Sequence, residues 1–350
     1  MAEKFIKLYT PDSSPDAAFF LTSGAVFFYA STADKYAIHG KNLIVGTTEI
    51  IMKNLMNTPT QRLETAIADP ASVIKKMSAE KFLSGMKTFS FALNVSIVLA
   101  KQVFQTNQII NKTMSGLTSD DTRAREYAME YYKIMSRLQE EFNKRRLPWM
   151  KPLLSFGTSL TFKKGEAFFK SSEPTKITAV TELSDQMVEF PRGATICEEN
   201  TCGEDMFILH SGAIDVFIGG NRVASIEGEG TVIGEMALLL GEKRTATLKA
   251  KNNVVITRIK KENLKEIVEK QSDLLMSIAM ALAKRHYYNL VKIGNVNRTA
   301  LEQAVAAEGG GEKKSQSEQA LKELNALKRG TEDACKGKDA SFIEDLLKSF

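Results

Sequence analysis

The stretch "GEMALLLGEKRTATLKA", residues 234–250, places Glu235 and Arg244 on either side of an apolar turn. Gly234 permits a backbone conformation or a close approach that a side chain would block. The small side chains of Ala237 and Ala246 leave backbone N–H groups uncovered, and successive uncovered N–H groups form an anion cradle. Arg244 adds a planar, permanently charged fork that matches phosphate oxygens. Glu235 can only accept hydrogen bonds, so a sugar hydroxyl is its natural partner. Together these groups suit a phosphate joined to a ribose. The competing reading is a plain Glu235–Arg244 salt bridge on a turn between strands, and the stretch taken alone leaves both open.

Working outward, the chain repeats itself. "DAAFFLTSGAVFFY" (16–29) lies over "EDMFILHSGAIDVFI" (204–218), each running from an acidic residue through an apolar strand and Ser-Gly-Ala to a second apolar strand. "RLETAIADPASVIKKMSAEKFL" (62–83) matches "RTATLKAKNNVVITRIKKENLKEI" (244–267), and Leu-Ala-Lys recurs at 99–101 and 282–284. Arg62 to Ala100 is 38 positions and Arg244 to Ala283 is 39, which points to a tandem duplication. Each copy reads as short strands punctuated by Gly and Asp/Asn, followed by a long helix. In the second copy Pro191-Arg192-Gly193 and Gly219-Gly220-Asn221 mark turns. Helical spacing then runs from Lys261 to about Val296 through Leu275, Ile278, Leu282, His286, Asn289 and Ile293. The expected fold class is α+β: two small antiparallel β-rolls, jelly-roll-like, with flanking helices.

The expected division is residues 1–115 for the first module, 116–172 for a helical linker, 173–297 for the second module and 298–350 for a tail. In the linker, Ser119-Asp120-Asp121 opens a charged helix of about 25 residues, read as a spacer or packing surface, that Pro148 stops. In the tail, "AAEGGGEKKSQSEQ" (306–319) has the composition of a flexible linker. Two amphipathic pieces follow at 316–329 and 339–350, the second with a capping-box pattern Ser341…Glu344.

Composition bounds the function. The 350 residues are 43% hydrophobic and 25% charged, ordinary for a globular chain of about two domains. A net charge of +5 with no single-sign run argues against nucleic-acid binding. The N-terminal residues carry no secretory pattern, and no apolar run reaches the roughly 18–20 residues of a membrane span. Three cysteines (Cys197, Cys202, Cys335) and three histidines (His39, His210, His286) without a CxxC pair make a metal site an unexpected feature. Free thiols in a reducing, cytoplasmic setting follow from that sparse, odd set.

"IGEMALLLGEKRTATLKA" resembles the phosphate-binding cassette of the cyclic-nucleotide-binding domain family: Gly-Glu, two apolar or small residues, Leu, a short gap, then Arg-Ser/Thr-Ala. The strand pair ending in "HSGAIDVFI" and the helix after Lys261 are similar to that family in order and spacing, over residues 173–297. The resemblance implies that Glu235 holds the ribose 2′-hydroxyl and Arg244 the cyclic phosphate of cAMP or cGMP. It also implies that the N–H groups of Met236, Ala237 and Ala246 complete the cradle, with Gly234 opening it and Thr245 beside phosphate and base. Val216, Ile218 and Val232 would pack on the base, under a lid from "HYYNLVKIGN" (286–295), where Asn289 falls at the base-contacting position of the bacterial catabolite activators.

The first copy departs from the pattern. Gly46 is followed by Thr47, a carboxylate appears only at Glu49, and Arg62 comes sixteen residues after Gly46 against ten in the second copy. Leu63 and Glu64 stand where Thr245 and Ala246 do, and a carboxylate there would repel a phosphate and could neutralise Arg62. This copy is expected to bind no cyclic nucleotide and to serve as a structural or protein-interaction module. No kinase, protease or other catalytic motif occurs, so no enzyme is expected. The 54 residues after Val296, broken by Gly309-Gly310-Gly311, leave no room for a winged helix-turn-helix. Tandem domains resemble kinase regulatory subunits, although no pseudosubstrate stretch precedes them.

The leading expectation is a cytoplasmic cyclic-nucleotide sensor or adaptor, not membrane-inserted. Its 261–296 helix would carry the signal to a protein partner, through the first module or the C-terminal helices, or to a second copy in a homodimer. The segment "DASFIEDLLKSF" (339–350) either docks such a partner or packs on its own core. The alternative is an assembly protein built from such modules, with any nucleotide fixed or vestigial. The choice between cAMP and cGMP stays open.

Overall fold

A computed structural model describes residues 5–114, 119–172, 175–176, 186–270, 273–308 and 315–349. The fold is α+β, with every strand pairing antiparallel. Two compact units divide the chain: Met1–Thr106 with Glu173–Tyr287, and Asn107–Ser172 with Tyr288–Phe350. Both β-modules lie in the first unit, and the second is helical. No single helix among the described residues is long and apolar enough to cross a membrane.

The first module runs β1 (Ile6–Tyr9), β2 (Ala17–Tyr29), β3 (Lys35–Val45), α1 (Thr48–Asn54), β4 (Thr65–Ala68), β5 (Val73–Ser78), α2 (Ala79–Gly85) and α3 (Phe89–Met114). Its axis is β2, which pairs with β3 along one edge and with β5 and β4 in succession along the other. The second module runs β6 (Thr175–Lys176), β7 (Met187–Phe190), β8 (Thr195–Cys197), β9 (Asp205–Ser211), β10 (Ala213–Ile218), β11 (Asn221–Glu227), β12 (Thr231–Ile233), then its own short helix and β13 (Thr247–Ala250) and β14 (Val254–Lys260). Its strands form two sheets, ordered β6-β12-β9-β14-β7 and β11-β10-β13-β8.

Register confirms the duplication. Phe19 lies between Val45 and Lys76 as Phe207 lies between Ile233 and Arg258. Phe28 lies between Tyr36 and Ala66 as Val216 lies between Ala224 and Leu248. The difference is continuity. One strand of 13 residues, β2, does the work of β9 and β10, which break at Gly212. Both copies nevertheless place a glycine at positive φ there, Gly24 at 116° and Gly212 at 92°. The next amide is held alike, Ala25 N–H donating to Ser72 Oγ (3.0 Å) and Ala213 N–H to Asn252 Oδ1 (2.7 Å).

A methyl group on Gly24 would sit 2.2 Å from Ser72 Oγ and 2.7 Å from its Cβ. Positive φ and overlap add, so Gly24→Ala is expected to cost roughly 2–6 kcal/mol in urea unfolding. A loss under about 0.5 kcal/mol, the ordinary effect of a surface change, would refute this account of the strand crossing.

In the second module the helix α6 (Glu235–Leu240) follows β12, and α7 (Leu264–Lys270) and α8 (Asp273–Glu308) follow β14. The anticipated apolar spacing holds: Leu275, Ile278 and Leu282 of α8 join Ile50, Leu99 and Leu238 in one core. A second core lies among the strands, around Phe207, Ile214, Ile233 and Leu248.

The helical unit contains α4 (Ser119–Arg145), a 3-10 stretch Pro148–Thr158, α5 (Leu160–Ser172), the later part of α8, α9 (Gln316–Cys335) and α10 (Glu344–Leu347). The charged helix α4 is a packing surface: Tyr131, Met135 and Leu138 bury against Leu324 and Leu327 of α9. The amphipathic piece expected from 316 is α9, and its first turn, residues 316–319, which composition also placed in the linker, is fixed by Asp120, which accepts from Gln316 N–H (3.0 Å) and from the hydroxyls of Ser315 and Ser317. Residues 309–311 lie outside the described residues. The Ser341…Glu344 capping box does not form, since Ser341 Oγ donates to Asp339 and α10 has no side-chain cap. Of the two readings of 339–350, packing on its own core is the one found: Ile343 is buried, and Phe342 packs at a tilt against Trp149 under Arg145.

Lys292 of α8 is also buried here, 5.1 Å from the ring centre of Phe168, which Arg125 approaches as well. Burial first, and then the Arg125 charge, pushes its ammonium down to about 8. The unfolded chain therefore binds more protons between pH 8 and the ordinary lysine value, and stability rises with pH across that window. Lys292→Met is expected to stabilise by roughly 1–3 kcal/mol at pH 7 and to flatten that rise in melts at pH 7–10. An unchanged rise would place the titration elsewhere.

Candidate functional site

The second module builds its cradle where β12 ends. Thr231, Val232 and Ile233 are buried, which fixes the position at which the chain must turn. Gly234 makes that turn in the left-handed region, φ 83°, and Gly241 closes α6 in the same region. A Cβ on Gly234 would lie 2.2 Å from Arg244 Nη1, so the glycine is required by the arginine as well as by the turn. Beyond α6 the chain is pinned in both directions at Arg244, whose N–H donates to Thr201 O and whose carbonyl accepts from Asn200 N–H, both at 2.8 Å.

Arg244 is 5% exposed and lies over the Phe207 ring. Its Nη1 donates to Gly234 O (3.3 Å), and its Nη2 to Asp205 O (2.5 Å) and to the Asp205 carboxylate. Asp205 also receives Arg258 Nε at 2.5 Å, so one carboxylate serves two guanidinium groups. Glu235, 4% exposed at the first turn of α6, is paired with Arg285 of α8 at 3.1 Å. The Glu235–Arg244 salt bridge that competed with the cradle reading is thus replaced by two separate ion pairs. Among the described residues, the cassette brings together Gly234, Glu235, Ala237 and Arg244 in buried or half-buried positions, with Met236 and Ala246 half-buried and Thr245 exposed.

Strand alternation decides the apolar candidates. Val232 is buried in the core beneath α6 with Leu238, whereas Ile233 and Val216 belong to the core among the strands. Ile218 is 47% exposed. Asn289 belongs to the helical unit, where its Nδ2 donates to Asn107 Oδ1 at 2.9 Å. Arg285, Asp205 and Arg258 were not anticipated. Asp205 carried the one available signal, an acid heading the strand that faces the cassette.

The first module repeats the frame with different contents. Gly46 takes φ 70°, and Arg62 Nη1 donates to Gly46 O (2.8 Å) while Nη2 donates to Ala17 O (2.5 Å). These are the counterparts of Gly234 O and Asp205 O. Arg62 is neutralised by Glu49 (2.8 Å), correcting the expectation that Glu64 would do so. Tyr9 covers the guanidinium, 4.3 Å from its ring centre.

Glu64 instead accepts from Tyr36 OH at 2.8 Å, and burial, with the nearby Glu49 charge adding, holds its carboxyl well above the usual range. Tyr36 OH also accepts from Gln102 Nε2 (3.1 Å) and meets His286 Nε2 (3.0 Å), while His286 Nδ1 meets Thr48 Oγ at 2.8 Å. His286 is fully buried, and burial pushes its imidazole down to about 3.

Residues 187–271 match the family model of the cyclic nucleotide-binding domain. This segment contains Gly234, Glu235 and Arg244; the first module lies outside it. The cAMP-dependent protein kinase regulatory subunit of Mucor circinelloides f. lusitanicus is 32% identical over 81 residues, 23% of this chain and 18% of that protein. The cAMP-activated global transcriptional regulator CRP of Salmonella typhimurium is 24% identical over 113 residues, 31% of this chain and 54% of that protein. The chain therefore spans less than two thirds of either relative. Among solved structures, the regulatory domain of Toxoplasma gondii PKA with cAMP is 14% identical with a TM-score of 0.23, covering 78% of this chain and 82% of that one.

Proposed function

We propose that the second module binds one cyclic nucleotide and that the protein is a regulatory sensor without catalytic action. Arg244 receives the cyclic phosphate and Glu235 the ribose 2′-hydroxyl, while the amides of Met236, Ala237 and Ala246 complete the cradle and Thr245 lies beside it. The observation that carries this reading is the buried Arg244, fixed by two backbone carbonyls beside the left-handed turn at Gly234, inside the segment that matches the family. Asn289, bonded to Asn107, is left outside the proposed ligand set. Both relatives bear cAMP in their names, which puts cAMP ahead of cGMP. Three unpaired thiols support a reducing, cytoplasmic setting.

Glu235 is held by Arg285 of α8 in the structure, so a hydroxyl arriving at Glu235 meets a contact that α8 already makes. That gives the ligand a differential interaction with the helix, the requirement for passing a signal. A partner engaged through the first module, or a second copy of the chain, is the proposed recipient.

Calorimetric titration of the purified chain with cAMP and with cGMP tests the proposal. One site of micromolar strength, about 8 kcal/mol, is the expected isotherm. Two sites would assign a ligand to the first module as well. No heat and no thermal shift with either nucleotide would favour the assembly reading.

A further inference from the structure

We infer that the first module's cradle is an anion site permanently occupied by the chain's own Glu49 carboxylate. The two cradles superpose in logic residue by residue. A left-handed glycine opens each, Gly46 and Gly234, and in each the arginine's two terminal nitrogens bond to that glycine's carbonyl and to the carbonyl of the first residue of the axial strand, Ala17 or Asp205. Counting from the glycine, Glu49 stands at the position of Ala237. The second copy leaves a methyl group there. The first copy grows a carboxylate.

That carboxylate takes the donors an incoming anion would take. Oε2 accepts from Arg62 Nη1 at 2.8 Å, and Oε1 from the N–H of Leu63, the residue after the arginine, at 3.4 Å. The side chains of Arg62 and Glu49 are 1% and 2% exposed, so no solvent shares the contact. The charge on the arginine is balanced differently in the second copy, where Asp205 on the strand does it; its counterpart Ala17 cannot. Arg62 Nε is buried without a partner. The two oxygens of the tethered carboxylate, spent on Arg62 Nη1 and Leu63 N–H, leave that donor unserved. The first module is thus held in an occupied state by its own sequence. This inference stands independently of whether the second module binds a nucleotide.

Removing the tethered anion should create an anion requirement. Glu49→Ala is expected to lower the melting temperature by roughly 6–15 °C, the effect of orphaning a buried charge in a unit of this size. Sodium formate, acetate or phosphate should restore at least half of that loss, saturably, at about 0.1 M, by binding only the folded form. Sodium chloride at equal ionic strength should not, and Glu49→Ala/Arg62→Met should gain no more from the oxyanions than the wild type does. If Glu49→Ala is recovered unfolded, refolding from urea in formate should yield native protein where chloride does not. Failure of all three oxyanions in both assays, equal rescue by chloride, or an unchanged melting temperature in Glu49→Ala would overturn the inference.

Discussion

Arg244→Ala is expected to remove cyclic-nucleotide binding from calorimetric range while leaving the fold intact. The guanidinium would offer the phosphate two charge-assisted hydrogen bonds, each worth about 1.5–3 kcal/mol. Losing both raises Kd by roughly 10²–10⁴-fold, which takes a micromolar site toward the millimolar range. The fold should tolerate the change because the carboxylate left behind is not orphaned: Asp205 keeps Arg258 Nε at 2.5 Å. Arg244→Lys separates charge from geometry. A lysine supplies the charge as a point and cannot bond Gly234 O and Asp205 O as a fork, so the phosphate would meet a displaced cation and binding should fall by about tenfold or more. Circular-dichroism melts of both variants check the fold. Binding by Arg244→Ala within a factor of three of wild type would sink the proposed role of the cradle.

The parts of this molecule that were legible in the sequence are those whose chemistry is local. Gly234 and Gly46 announce turns because only glycine occupies φ near 80° without cost, and both turns are where the spacing put them. The hairpin tip at Gly219-Gly220 and the helical run through Leu275, Ile278 and Leu282 are likewise short-range patterns, and both formed. What escaped was pairing across distance. Glu64 is the carboxylate that alignment with the second copy offers to Arg62, because it stands at the position of Ala246. Glu49, thirteen residues away, reaches the guanidinium because the α1 turn folds back over it, and periodicity carries no information about that. Asp205 finds its two arginines 39 and 53 positions along the chain. Asp120, read as the start of α4, spends its carboxylate on the start of α9, almost 200 residues on. Residues 316–319 read both as the end of a polar linker and as the start of an amphipathic piece, and that long-range cap settles them as helix.

The two cradles share one helix. Consecutive residues of α8 reach them, Arg285 to Glu235 in the second module and His286 to Thr48 and Tyr36 in the first. Arg285 can exchange its partner for solvent or ligand, being 19% exposed. His286 cannot, because both ring nitrogens are committed in a site closed to water. The first module, with its internal counter-ion, thus holds α8 at His286, one residue from the Arg285–Glu235 pair.

That anchoring has a pH signature. Tyr36 directs its proton to Glu64, so His286 Nε2 carries the ring proton and donates to the phenol oxygen, while Nδ1 accepts from Thr48. The Thr48 contact, in which Nδ1 accepts, requires the neutral ring. With the folded imidazole held down to about 3, the unfolded chain alone takes up a proton as pH falls below about 6.5. The contribution of His286 is therefore complete above pH 6.5 and is lost on acidification toward 3, at about 1.4 kcal/mol per pH unit. Glu64 acts in the opposite sense. Its raised carboxyl keeps a proton in the fold that the unfolded chain releases above about 4.5, so it offsets the histidine in the wild type between those values. Comparison of variants separates the two. His286→Gln should be less stable than wild type at pH 7.5, and the gap in urea unfolding should shrink by roughly 2 kcal/mol by pH 5. In Glu64→Gln the offset is gone, and stability should fall over the same range at the full histidine slope. A gap between wild type and His286→Gln that stays constant from pH 7.5 to 5 would mean that the ring is not held neutral, and that the first module does not grip α8 in this way.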